Sequence, residues 1–170
     1  MNFLLRDARE SDAAAIAEIY GHYVRTSSCT FEEIAPDAAE MAARLRNIVE
    51  AGLPYCVAEE KGNVTGYAYA GPFRTRSAYR FTVENSVYVA AGCARGGIGT
   101  ALMERLIKDC AGRGFRQMIA GIGDSENAAS IALHRKLGFG PAGELKSVGF
   151  KFGRWVDVVW MQRALGPETP

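Results

Sequence analysis

The sequence predicts an α/β fold, with helices covering both faces of one mixed β-sheet. Apolar spacing alternates between strand-like and helical along the chain, in the order β-α-α-β-β-β-α-β-α-β-β. Short turn signals at Lys61-Gly62-Asn63 and Gly149–Gly153 each join two neighbouring strands, so much of the sheet is antiparallel. Between them Val87–Cys110 runs as strand, glycine-rich turn and amphipathic helix.

Phe3–Arg6 reads as the first strand. Ser11 or Asp12 caps a helix over Ala13–Val24, with Ile16, Ile19, Tyr20 and Tyr23 at helical spacing. Thr26–Ile34 carries too many β-branched and hydroxyl residues to continue it and reads as a loop. Pro36 suits the first turn of a second helix, whose apolar face is Met41, Leu45, Ile48 and Val49. Tyr55–Glu60 and Val64–Phe73 form a hairpin, Arg74–Arg80 a basic loop, and Phe81–Ala90 a fourth strand with polar Glu84-Asn85-Ser86 inside it. On the third helix Ile98, Leu102, Leu106 and Cys110 recur every fourth residue and mark a core face. Arg116–Gly121 is a buried strand, Glu126–Leu137 a helix, and Glu144–Phe150 and Trp155–Arg163 the last two strands. Residues 1–165 form a single domain, and 166–170, with two prolines, a disordered tail.

The 170 residues suffice for one sizeable core. A net charge of +1 excludes any general attraction to nucleic acid or an anionic membrane. Cys29, Cys56, Cys93 and Cys110 form no CxxC pair and histidines are only His22 and His134, which argues against a structural metal or a disulfide framework. The N-terminal segment does not read as a signal peptide, and no apolar run is long enough for a membrane span; a cytoplasmic protein is expected.

Gly96, Gly97 and Gly99 stand where the third helix must begin. The first turn of a helix has N–H groups without partners, and glycines let an anion approach them. The missing lysine before Thr100 makes a P-loop a weak reading, and Leu102 at the third glycine position makes a dinucleotide fingerprint another. Taken alone, the turn holds a pyrophosphate or simply permits tight strand-to-helix packing.

The wider stretch, V-Y-V then R-G-G-I-G-T-A-L-M, resembles the acetyl-CoA signature of the GNAT acetyltransferases. Asn127–Phe139, N-A-A-S-I-A-L-H-R-K-L-G-F, resembles the second signature of that family. T-S-S-C-T-F-E, G-P-F-R-T-R-S-A-Y-R-F-T-V-E-N-S-V-Y-V and G-F-K-F-G-R-W-V-D-V are similar to the phosphinothricin and methionine sulfone or sulfoximine N-acetyltransferase subfamily. Ala94 departs from the pattern, which usually has Gln or Arg there, and Arg95 beside it offers the charge instead.

The resemblance implies acetyl-CoA as cosubstrate, without a metal. The cofactor would be held by Val87, Tyr88, Val89, Arg95, Gly96, Gly97, Ile98, Gly99, Thr100, Asn127 and Ser130. The acceptor would be a small amino acid analogue bound by Phe31, Arg74, Thr75, Arg76, Tyr79, Val83, Glu84 and Asn85. Arginine forks match carboxylate or phosphinate groups in paired bonds; the alternative for this loop is a solvated basic surface. Glu84, partly desolvated between apolar neighbours, is the candidate general base, or else a solvent-facing partner of a nearby arginine. His134 is the candidate acid for the departing thiolate, a substrate ligand, or a packing residue. A backbone N–H near Val87 or Tyr88 would meet the oxyanion if the strand bulges there, and Phe31 and Glu32 would close the pocket. Trp155 and Asp157 match the subfamily's C-terminal motif, though strand packing explains Trp155 as well. Family members of this type are commonly homodimers. The alternatives are acetylation of a protein N-terminus or a polyamine, and a non-catalytic CoA-binding module.

Overall fold

The computed structural model describes residues 3–93 and 96–166. Its elements follow the predicted order: β1 Leu4–Asp7, α1 Ala13–Thr26, α2 Ala38–Glu50, β2 Tyr55–Glu60, β3 Asn63–Pro72, β4 Thr82–Val89, α3 Ile98–Gly112, β5 Gln117–Gly123, α4 Ala128–Lys136, β6 Gly140–Lys151 and β7 Arg154–Ala164. The strands form one sheet in the order β1-β2-β3-β4-β5-β7-β6. Neighbours are antiparallel except β4 and β5, which are parallel and paired only at Thr82↔Gln117, Val83↔Met118 and Glu84↔Ile119. Beyond Glu84, β4 stays on β3 as far as Val89, while β5 stays on β7 as far as Gly123. The sheet is therefore split at its centre.

Strand alternation sends Cys56, Ala58, Ala68, Ala70, Val83, Met118, Ala120 and Ile122 to one face, where α3 covers them with Leu102, Met103 and Leu106. The other face carries Tyr55, Val57 and Tyr67, packed under Ile16, Ile19, Tyr20 and Val24 of α1 and Met41 and Leu45 of α2. Tyr67 is stacked among Tyr55, Tyr69 and Tyr88, with ring centroids 5.9, 6.5 and 5.3 Å away.

Several boundaries differ from the expected ones. α2 begins after Asp37 rather than at Pro36, because the Asp37 carboxylate accepts the free Glu40 N–H at 2.8 Å. Val49 faces solvent, half exposed. Asp12 does not cap α1 with its side chain: the carboxylate takes the Arg9 N–H at 2.8 Å and the Arg6 guanidinium at 2.7 and 2.8 Å. Strand β6 runs four residues earlier than its expected start at Glu144, because an outermost strand tolerates Pro141 and needs no alternating burial. No helix among the described residues is long and apolar enough to cross a membrane.

Candidate active site

The split between β4 and β5 opens into a cleft of about 530 Å³. Ala90 N–H donates to Thr65 O at 2.9 Å across the β3 side. Backbone groups alternate along a strand, so those of Val87 and Val89 point the other way, into the cleft. Tyr23 OH donates to the Val89 carbonyl there at 2.7 Å. The β3–β4 register has no interruption from Val83 to Val89, so the strand does not bulge there. Regular alternation thus makes Val87 N–H, not Tyr88 N–H, the donor facing the cleft.

At the mouth of the cleft α3 begins without a side-chain cap. Gly97 precedes it at φ 80°, ψ −1°, a left-handed conformation that favours glycine. The N–H groups of Ile98, Gly99 and Thr100 belong to the uncapped first turn, which carries the positive end of the helix dipole. Val87, Tyr88, Val89, Gly97, Ile98, Gly99, Thr100, Asn127 and Ser130 all line the cleft, as do Asn85 and His134. Gly96 lies just outside this lining, exposed beside Gly97. Ala94 and Arg95 lie outside the described residues, as does most of the expected tail, 167–170. Asn127 is the N-cap of α4: its Oδ1 accepts from Ser130 N at 3.2 Å. These groups fit acetyl-CoA: an uncapped helix start for the pyrophosphate, and a strand edge with open amides for the pantetheine arm.

Glu84 projects to the face opposite Asn85, at the vertex of the split. A Cβ built on Gly121 would lie 3.1 Å from Glu84 Oε1 and 3.0 Å from the Trp160 ring. Burial raises the Glu84 pKa above its ordinary value, and the positive charge of Arg74 opposes this. Glu84 forms no salt bridge among the described residues. Phe73 links this point to the basic loop. Its ring meets Trp160 at 6.2 Å and Tyr79 at 5.7 Å, and Arg74 stacks on it at 4.5 Å. Thr75 and Arg76 are exposed in the same loop. Val83 is fully buried in the core beneath α3, so its side chain contributes packing.

The loop after α1 crosses the end of β5. A Cβ on Gly123 would lie 2.7 Å from Ser28 O and 2.9 Å from Cys29 O. Lys151, itself buried, donates to Ser27 O at 2.8 Å and Thr30 O at 2.7 Å. Arg154 bonds Ser28 Oγ at 2.9 Å and pairs with Asp124, which also accepts from Ser28 Oγ at 2.6 Å. Glu32 accepts from Arg44 at 2.7 Å and Tyr20 OH at 2.9 Å; Phe31 lies over Gly149, where a Cβ would overlap its ring. The loop is thus pinned on several sides, with Glu32 turned to α2 and not to a closing pocket.

Tyr23, which lines the cleft, and Trp160, which stands beside Gly121 near Glu84, carry no sequence signal that marks them as site residues. The reading weighed the other tryptophan, Trp155, which is 64% exposed on the outer hairpin. Asp157 is also structural, accepting from Ser147 N at 2.8 Å and Ser125 Oγ at 2.9 Å.

Residues 5–160 match the model of the acetyltransferase (GNAT) domain. The chain is 54% identical over 161 residues to a phosphinothricin N-acetyltransferase of Alcaligenes faecalis, covering 95% of this chain and 82% of the relative. It is 42% identical to an L-methionine sulfoximine/L-methionine sulfone acetyltransferase of Salmonella typhimurium, covering 95% and 94%. The solved phosphinothricin acetyltransferase from Sinorhizobium meliloti, in complex with AcCoA, superposes with a TM-score of 0.94 at 50% identity, covering 98% of this chain and 90% of that one. With the split sheet, the uncapped α3 start and these similarities together, the chain belongs to the GNAT acetyltransferase family.

Proposed function

We propose that the protein transfers an acetyl group from acetyl-CoA to the α-amino group of a small amino acid analogue of the phosphinothricin, methionine sulfone or methionine sulfoximine type. The observation that carries this reading is the Glu84 carboxylate, its pKa raised by burial, at the vertex of the split sheet. The relatives' activities and the cationic Arg74 close to Glu84 support the acceptor class.

Acetyl-CoA supplies the acetyl group as a thioester. Glu84 takes a proton from the acceptor's ammonium, and the raised pKa makes it a stronger base than an ordinary carboxylate. The Val87 N–H donates to the carbonyl oxygen as it gains charge. The start of α3 holds the pyrophosphate, and Asn127 and Ser130 lie along the arm. Arg74, with Arg76, Thr75 and Tyr79 in the same loop, engages the acceptor's anionic group, and Phe31 and the Trp160 ring bound its side chain. The freed amine attacks the thioester carbonyl, and the C–S bond breaks once the C–N bond has formed. The second amine proton passes to the departing thiolate, which needs only a weak acid since a thiol pKa is about 8.5.

The exposed Leu145, Val148, Phe150, Phe152 and Trp155 gather on the β6–β7 hairpin, with the Phe150 and Trp155 rings 5.2 Å apart. This apolar surface supports a homodimer, and Trp155→Glu is expected to shift sedimentation to the monomer.

Thiol release from CoA tests the function, with phosphinothricin, methionine sulfone, methionine sulfoximine, ordinary amino acids, spermidine and a peptide as acceptors. The amino acid analogues should react, and Glu84→Gln should lower kcat roughly 10²–10⁴-fold while CoA still binds. Turnover confined to spermidine or the peptide would overturn the substrate class. A near-normal kcat in the variant would remove Glu84 from its role.

A further inference from the structure

Asn85 and His134 line the cleft, yet their polar atoms are turned on the protein. Asn85 is buried on the face opposite Glu84, and its Nδ2 donates to the Ile119 carbonyl at 2.9 Å. Its Oδ1 lies 3.0 Å from His134 Nε2. The bond to a carbonyl orients the amide, so Oδ1 faces Nε2 as an acceptor; the Ser130 carbonyl is likewise an acceptor at Nδ1, and the neutral ring donates to one of the two at a time. His134 is 3% exposed, and its Nδ1 lies 2.8 Å from Ser130 O and 3.4 Å from Ser130 Oγ. Its ring also meets Phe139 edge-on at 5.0 Å.

Ile119 is the β5 residue opposite Glu84 in the last pair before the strands part. The contact therefore sits at the vertex of the split. Two strands sharing three register pairs have little else there to fix their angle.

We propose that Asn85 and His134 are a positioning pair, a clasp that joins β4, β5 and α4 at the vertex and fixes the opening of the cleft. Successive residues of a strand point to opposite faces, so anchoring Asn85 on one side aims Glu84 on the other. The same anchor sets Val87 N–H, two residues further on, relative to the thioester. Both ends of the Asn85 amide and both ring nitrogens of His134 already face protein atoms, so neither residue is assigned to acceptor binding or proton donation. The inference rests on Glu84 as the base.

The test compares His134→Gln, His134→Phe, Asn85→Ala and the double variant His134→Phe/Asn85→Ala in the intact protein. A glutamine amide keeps a donor for Asn85 Oδ1 but does not titrate. His134→Phe and Asn85→Ala should each lower kcat roughly 100-fold, the scale of a misplaced reacting group, with the KM for the amine little changed. The double variant should be no worse than either single one, since both break the same contact. His134→Gln should restore most of kcat. Amide hydrogen exchange at Ser86–Val89 should quicken in His134→Phe and Asn85→Ala but not in His134→Gln or Glu84→Gln.

If His134→Gln is as inactive as His134→Phe, with a titrating limb missing from its pH–rate profile, His134 is an acid and the clasp is wrong. A raised amine KM at full kcat in Asn85→Ala makes Asn85 a substrate ligand and also overturns it, as does unchanged exchange in both clasp variants. Should His134→Phe fail to fold, Asn85→Ala and His134→Gln carry the same comparison. Full activity in Glu84→Gln would sink the base assignment alone, because the exchange readout does not depend on turnover.

Discussion

The Glu84 carboxylate lies against the α-carbon of Gly121 on the facing strand: a methyl group there would stand 3.1 Å from Oε1 and 3.0 Å from the Trp160 ring. Gly121 has no positive φ, so its requirement is for space and not for backbone freedom. Gly121→Ala should fold normally yet push Glu84 or Trp160 aside. A fall in kcat/KM of roughly 10–100-fold is expected, read by steady-state kinetics beside an unchanged CoA affinity. Wild-type turnover would show that the two side chains yield without consequence.

The burial that raises the Glu84 pKa also destabilises the fold once the group is charged. A carboxyl whose folded pKa is raised carries no penalty below its ordinary value of 4.5, and stability is lost as pH rises through the folded pKa. Glu84→Gln removes that penalty. The variant should melt higher than wild type at pH 7, with the gap closing as pH falls toward 4.5. Melting curves across that range check the sign; a gap that widens toward acid contradicts it.

Lys151 holds the loop after α1 through the carbonyls of Ser27 and Thr30. Lys151→Met keeps the stem and leaves both oxygens without that donor. The expected cost is about 2 kcal/mol, measured by urea denaturation. Because the loop lies over the end of β5 and carries Phe31, the KM for the amine should rise while CoA binds as before. Equal losses for both ligands would mean a global defect.

Gly97 starts α3 from the left-handed region. Gly97→Val places a β-branched residue there at a cost of about 1–2 kcal/mol, and Gly97→Asn should cost less. CoA affinity, measured by calorimetry, should follow the same order, because the strain falls on the N–H groups at the helix start. Identical affinities in both variants would separate the turn from anion binding.

The helices and the sequence of strands were legible wherever burial imposes a period. Leu102, Leu106 and Cys110 on α3 are fully buried at the spacing that predicted them. The start of α2 was misplaced because Pro36 and Asp37 both signal a helix start, and only the hydrogen bond to Glu40 decides between them. β6 has an exposed run from Gly140 to Val148 and therefore no alternation to read there. The residues expected to hold the cofactor lie in two contiguous segments, and those from Val87 to Val89, Gly97 to Thr100, Asn127 and Ser130 do line one cleft. The acceptor side did not yield in the same way. Which tryptophan faces Glu84 depends on the register of β7 against β5, which pairs Trp160 with Gly121. The approach of His134 to Asn85, 49 residues away, has no local signature at all.

The divided sheet has a consequence for how the protein survives in solution. Open strand edges in the middle of a sheet are places where a chain can pair wrongly or begin to come apart. In the proposed binding mode they are also where acetyl-CoA fits, so the ligand should act as a fastener as well as a reactant. At a hundred times its dissociation constant, a ligand that binds only the folded chain adds about 2.7 kcal/mol to stability. The melting temperature of this enzyme should therefore rise with the CoA concentration around it, so that supply of the cosubstrate also sets the durability of the fold.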